Sequence, residues 1–148
     1  MKNDSTATGS ELESADVQTR VQAKMRKFVI LWHDHPFPHW DFLIEDGAGL
    51  ASWRLLELPQ SGKKVPAVLL RVHRRHYLTW EGPVSGGRGS VRRIYSGELE
   101  YDVDWPNVVD WPGIRFHMVD SELAEHCQLI HADDNQIHWE FSLSLIHI

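Results

Sequence analysis

"FVILWHDHPFPHWDFLIED", residues 28–46, decides how the chain folds. Two runs rich in Val, Ile, Leu, Phe and Trp flank a short link that contains two prolines. Short apolar runs bounded by turn residues read as β-strands, so the stretch reads as two strands and a turn. Over 39–46, alternate side chains of a strand separate into two sets. His39, Asp41, Leu43 and Glu45 share one face, and Trp40, Phe42 and Ile44 share an apolar one. His39 and Asp41 therefore point together, and polar side chains turned inward need partners. His33 lies six residues before His39, across "HPFPH". The prolines stiffen that link and bring His33 back toward His39. Two imidazoles and one carboxylate leave coordination positions open, as catalytic metal sites require. Nitrogen and oxygen donors without thiolate suit Mn²⁺, Fe²⁺ or Zn²⁺. His35 is less well placed and reads as a loop group. A His-x-Asp pair is also common in surface loops, so spacing alone leaves a solvated loop open as the alternative.

The rest of the chain repeats the strand pattern. Expected strands are 27–32, 39–46, 49–56, 67–72, 89–96, 98–103, 113–119, 124–131 and 136–142, separated by turn signals such as "EDGAG", "PQSGKK" and "GPVSGGRG". Many short strands at near-regular spacing imply an all-β domain, mainly an antiparallel β-barrel, spanning 27–142. Residues 1–26 are polar at their start and read as a disordered leader, with room for a short helix over 16–26. The last six residues, "LSLIHI", are what the DNA string CTG TCT CTT ATA CAC ATC encodes, and that string resembles a transposon adapter used in sequencing. Residues 143–148 are therefore expected to be foreign to the native chain, and His147 carries no functional weight.

Composition narrows the function. The chain has 148 residues, enough for one domain with a real core. No long apolar run suggests a membrane span, and no signal peptide is visible. The single cysteine, Cys127, excludes an internal disulfide and a multi-cysteine zinc site, fits a cytoplasmic protein, and reads as a buried thiol. A net charge of −6 argues against a general nucleic-acid coat. The charge is uneven, however. Residues 61–93 hold eight Lys/Arg against one acid, Glu81, and residues 94–142 hold eleven acids against one base, Arg115. A local basic patch of this kind can take one phosphate group, or it is simply a solvated face.

A second stretch, "RVHRRHYLTWEGPVSGGRGSV" over 71–91, adds chemistry. His73 and Tyr77 are four apart and face the same way in a helical turn. An imidazole and a phenol converging on a phosphate can donate hydrogen bonds or a proton. The glycine-rich "GPVSGGRGS" lacks the Walker pattern and reads first as a hairpin connection, with Arg88 and backbone N–H groups on offer.

Together these motifs resemble the 3′-phosphoesterase domain at the N-terminus of bacterial DNA ligase D and its small stand-alone relatives. "HDHPFPHWDFLIE", "GLASW" (49–53) and "HRRHYLTWEG" (73–82) appear in the family's order, and "HWEF" (138–141) resembles its closing strand. The resemblance covers residues 27–142. It implies a compact β-barrel and a Mn²⁺-dependent esterase of DNA repair by non-homologous end joining. Such an enzyme removes a 3′-terminal ribonucleoside or a 3′-phosphate from a primer-template. It implies His33, His39 and Asp41 as metal ligands and His73 and Tyr77 as the second active-site pair. It further implies a monomer that works beside a repair ligase or polymerase. Two departures stand out. The family's Arg two residues after the metal-binding Asp is Leu43 here, and its Lys after the tryptophan strand is replaced by Leu56 and Glu57. Substitutes for phosphate contact are Arg54, Lys64, Arg71, Arg88 and Arg92. Two other readings stand beside this one. The first is a non-catalytic receptor for DNA ends or phosphate. The second is a cupin-like oxygenase, in which the His-x-Asp pair recruits a distal His117 or His126 into an iron triad.

Overall fold

The structure is a computed structural model and describes residues 24–101, 113–132 and 136–143. Ten strands appear in chain order: β1 (Lys24–His33), β2 (His39–Asp46), β3 (Gly49–Leu55), β4 (Lys63–Leu69), β5 (His73–Arg74), β6 (Gly82–Pro83), β7 (Ser90–Tyr101), β8 (Arg115–Val119), β9 (His126–His131) and β10 (Ile137–Ser142). One 3₁₀ turn, Arg75–Leu78, follows β5. Neighbours pair in the order β1-β2-β3-β4-β10-β9-β8-β7, and β7 pairs back onto β1. The result is a closed antiparallel barrel of eight strands, as the strand pattern led us to expect. Closure pairs each of these eight strands on both sides. Among the described residues no helix is long and apolar enough to cross a membrane.

Alternation along the strands fills the barrel. Phe28 and Ile30 of β1, Phe42 and Ile44 of β2, and Trp53 and Leu55 of β3 meet Phe116, Trp139 and Phe141 in one cluster. Aromatic pairs dominate its centre. Phe42 and Trp139 are 4.8 Å apart between ring centroids, and Trp53 and Trp139 are 5.1 Å apart, both edge-to-face, the geometry that ring quadrupoles favour. Cys127 lies fully buried in this cluster, and burial pushes its thiol far up, so it is inert in the folded chain.

The outer wall is covered on one side. Residues 70–89 leave the barrel, with β5 pairing onto β3, the 3₁₀ turn crossing the wall, and β6 pairing onto β7. Val29, Leu31, Leu43 and Leu50 point outward and are buried under Tyr77, Val84 and Val91 in a second, smaller cluster. This is why the run 28–31 is continuously apolar: both of its faces are buried.

Four sequence expectations need correction. Residues 24–26 belong to β1 and are neither leader nor helix, because they pair with Leu99, Glu100 and Tyr101 at the far end of β7. Residues 1–23 lie outside the described residues. The strand expected at 67–72 is Lys63–Leu69 instead. Pro66 sits within β4, and its carbonyl accepts the Leu56 N–H at 2.9 Å. The strands expected at 89–96 and 98–103 join into one through Gly97, and residues 102–103 lie outside the described residues. Finally, the polar face of β2 looks away from the barrel interior, toward the covered outer wall. Ser142 ends β10, Leu143 is exposed and follows it, and residues 144–148 lie outside the described residues.

Candidate metal centre

β1 and β2 form a hairpin whose last paired residues are His33 and His39, and Leu31 pairs with Asp41. Residues 34–38 make the link, so the two prolines do bring His33 back beside His39, with ring centroids 4.9 Å apart. On the outward face, His33, His39 and Asp41 converge. Each offers one ligand atom, and these atoms all lie within 4.8 Å of one another. His39 and Asp41 are buried, and His33 is mostly so.

The hydrogen bonds around the trio fix which atoms face its centre. A backbone carbonyl only accepts. The Phe37 carbonyl lies 2.8 Å from His39 Nδ1, and the Arg88 carbonyl lies 2.8 Å from His33 Nε2, so each of these nitrogens carries a proton. In the neutral rings the opposite nitrogens are then bare. His39 Nε2 is 3.0 Å from Asp41 Oδ1, and His33 Nδ1 is 3.1 Å from Asp41 Oδ2. Asp41 Oδ1 is buried with no hydrogen-bond donor aimed at it. Lone pairs of two imidazoles and a carboxylate thus crowd one point, which needs a proton or a cation between them. The two carbonyls play the orienting part that outer partners play for metal-bound histidines. This donor set fits a divalent metal, and His33, His39 and Asp41 can hold one.

With protons rather than a metal between the rings and the carboxylate, burial pushes the Asp41 carboxyl up, but hydrogen bonding from the His33 and His39 imidazoles outweighs burial and holds it at about 2. The hydrogen bond to Asp41 raises His33 above its ordinary value, burial opposes this, and the Arg88 carbonyl adds to the rise. The carboxylate is therefore charged at any physiological pH.

A cavity of about 230 Å³ opens beside the trio. His33 and Asp41 form one wall, and Leu31, Val84 and Val91 form its apolar floor. His73 and Tyr77 line it too, with their rings 6.0 Å apart at a steep angle. His73 Nδ1 lies 2.9 Å from the Arg71 carbonyl and so donates to it, which leaves Nε2 available. Arg71, Arg74 and Arg88 complete the lining. Of the basic substitutes named from sequence, Arg71 and Arg88 reach the cavity and the others do not line it. Arg54 is in register with Asp41 one strand over, but its guanidinium lies over the Phe37 ring, with Nε buried and unpartnered. Lys64 is exposed on β4, and Arg92 packs over Trp32. Arg74 was missed, because an exposed charge within a two-residue strand leaves no periodic signal.

The glycine-rich segment is a hairpin connection between β6 and β7, closed by the Val84 N–H on the Gly89 carbonyl at 2.7 Å. It serves the site with a carbonyl, that of Arg88, rather than with N–H groups. Asp34 anchors it. Its carboxylate accepts the Ser90 N–H at 2.8 Å, which ties the metal hairpin to the connection. Asp34 went unassigned in the sequence, although it sits inside the opening motif. His35 is exposed and stays outside the trio. The oxygenase triad does not form. Its third ligand would be His117 or His126, and those two face each other across β8 and β9 instead. Leu43 is fully buried beneath Tyr77 and Val84 and does not line the cavity. No protein-family model matches the chain, and no curated protein matches it.

Proposed function

We propose that the protein is a metal-dependent 3′-phosphoesterase acting on DNA 3′ ends, in repair, where it removes a 3′-phosphate or a 3′-terminal ribonucleoside ahead of a ligase or polymerase. The observation that carries this reading is one cavity lined by His33 and Asp41 of the metal-ligand trio together with His73, Tyr77, Arg71, Arg74 and Arg88. A phosphate ester needs that combination of charges. Bound Mn²⁺, or another divalent transition metal, would polarise the phosphoryl oxygen and offset its charge. Arg71, Arg74 and Arg88 hold the phosphate oxygens through charge-assisted hydrogen bonds. Tyr77 donates a hydrogen bond from its phenol to a phosphoryl oxygen. His73 in its protonated form keeps its Nδ1 bond to the Arg71 carbonyl and gives its Nε2 proton to the leaving oxygen as the P–O bond breaks. Water supplies the oxygen that replaces the leaving group on phosphorus. The three arginines of 70–89 take over the phosphate grip that Leu43 cannot provide.

The test is incubation of the full chain with Mn²⁺ and a duplex whose recessed primer ends in a 3′-phosphate, beside an active ligase D phosphoesterase domain. The reading expects inorganic phosphate and a 3′-hydroxyl, both lost in His73→Ala. No product while the control works refutes it. Tight binding of the 3′-phosphorylated end without turnover establishes the end-receptor alternative.

A further inference from the structure

β7, β8 and β9 lie side by side on the barrel wall. Their register sets Glu100 opposite His117 and His117 opposite His126. Facing residues of antiparallel strands share a face. Phe116, Met118 and Cys127 take the interior, so Glu100, His117 and His126 form a row on the outside. The Met118 N–H donates to the Glu125 carbonyl at 2.8 Å, which makes His117 and His126 a non-hydrogen-bonded pair. In such a pair the backbones approach to about 4.5 Å between Cα atoms and the side chains are at their closest. The two rings stand 5.5 Å apart, edge to face. His126 Nδ1 is buried and has no hydrogen-bond partner. Burial, then Arg115 and His117, lower the His126 value and keep the ring neutral, with Glu125 opposing weakly. A neutral imidazole is the form that ligates metal.

We propose that His117 and His126 form a second metal site, which takes a transition-metal dication of the zinc class. Two imidazoles suit Zn²⁺, Cu²⁺ or Ni²⁺, and a surface position leaves room for water in the remaining coordination places. The site is separate from His33, His39 and Asp41 and does not depend on the esterase reading. Nothing in the proposed phosphate chemistry uses these residues.

Calorimetric titration of the metal-free full chain with Zn²⁺ tests the proposal. The background is His39→Ala with Asp41→Asn, which removes the first site. That protein is expected to bind one ion per chain, and adding His117→Ala is expected to abolish the binding. His117 is exposed, so its removal leaves the fold intact, which circular dichroism checks. His126→Ala is expected to give the same loss. Unchanged binding in either variant overturns the proposal, as does a background protein that binds no Zn²⁺ at all.

Discussion

His39 Nε2 stands 3.0 Å from Asp41 Oδ1, yet no hydrogen bond joins them, because the ring's proton is held on Nδ1 by the Phe37 carbonyl. Two hydrogen-bond acceptors at this distance repel unless something positive lies between them. His33 Nδ1 lies 3.1 Å from Asp41 Oδ2, and the hydrogen bond between them raises His33 above its ordinary value, so a proton fills that gap when a metal does not. Metal and proton therefore compete for His33. Below the raised His33 pKa the metal must displace a proton, and above it none is in the way. Mn²⁺ affinity is expected to fall about tenfold per pH unit below that value and to level off above it. Titrations across the range check this, and a flat profile counts against His33 as a ligand.

Leu43 occupies the position where the resembled family has a phosphate-gripping arginine, and restoring the arginine looks like a direct test of activity. The structure argues otherwise. Leu43 is fully buried among Leu31, Leu50, Tyr77 and Val84. A guanidinium there would be a buried charge without a partner. Leu43→Arg is expected to destabilise the fold by about 3 kcal/mol or more and to raise no activity. Denaturant unfolding measures the first and the esterase assay the second.

Gly89 is the hinge on which the Arg88 carbonyl reaches His33. Its φ of +75° is left-handed, and a Cβ there would fall 2.1 Å from Asp34 Oδ1 and 2.7 Å from His35 Cβ. Gly89→Ala is therefore expected to break the link from Asp34 to Ser90 and release the carbonyl from His33. Loss of an orienting partner of this kind lowers metal affinity roughly 10- to 100-fold. The barrel core, which Gly89 does not touch, is expected to unfold cooperatively as before. Calorimetry with Mn²⁺ and a thermal melt separate the two effects.

Arg71 lines the cavity, and its backbone carbonyl holds His73 Nδ1. Arg71→Ala keeps that carbonyl and removes only the side chain. A charge-assisted hydrogen bond contributes about 1.5–3 kcal/mol, so substrate binding is expected to weaken by roughly ten- to a hundredfold while Mn²⁺ affinity holds. Arg92→Ala, outside the cavity, is the comparison, and equal loss in both would mean that the phosphate lies elsewhere.

The hairpin of β1 and β2 was readable from sequence because its residues alternate sharply and its prolines fix a short link. The strand at 39–46 followed from its period, while spacing made His33, His39 and Asp41 only candidates and the family resemblance singled them out as ligands. The start of β1 was not readable. Lys24–Lys27 are mostly exposed, so no apolar period marks them, and only pairing with β7 holds them in the strand. The cover formed by residues 70–89 was hidden for a different reason. It is made of two-residue strands and one 3₁₀ turn, too short for any periodicity, and its placement depends on contacts with the far-off β3 and β7. That cover turns an outer wall into a buried site. It also brings His73, Tyr77 and three arginines to Asp41, which charge counting had narrowed only to a region.

The central claim is that His33, His39 and Asp41 hold a divalent metal. The most direct measurement is electron paramagnetic resonance of Mn²⁺ titrated into the full chain and into His39→Ala, which counts free ion as bound ion disappears from the spectrum. The account expects saturable binding at this site in the parent chain and its loss in His39→Ala, with the barrel fold retained. Equal binding in the two proteins, or none in the parent, would contradict it.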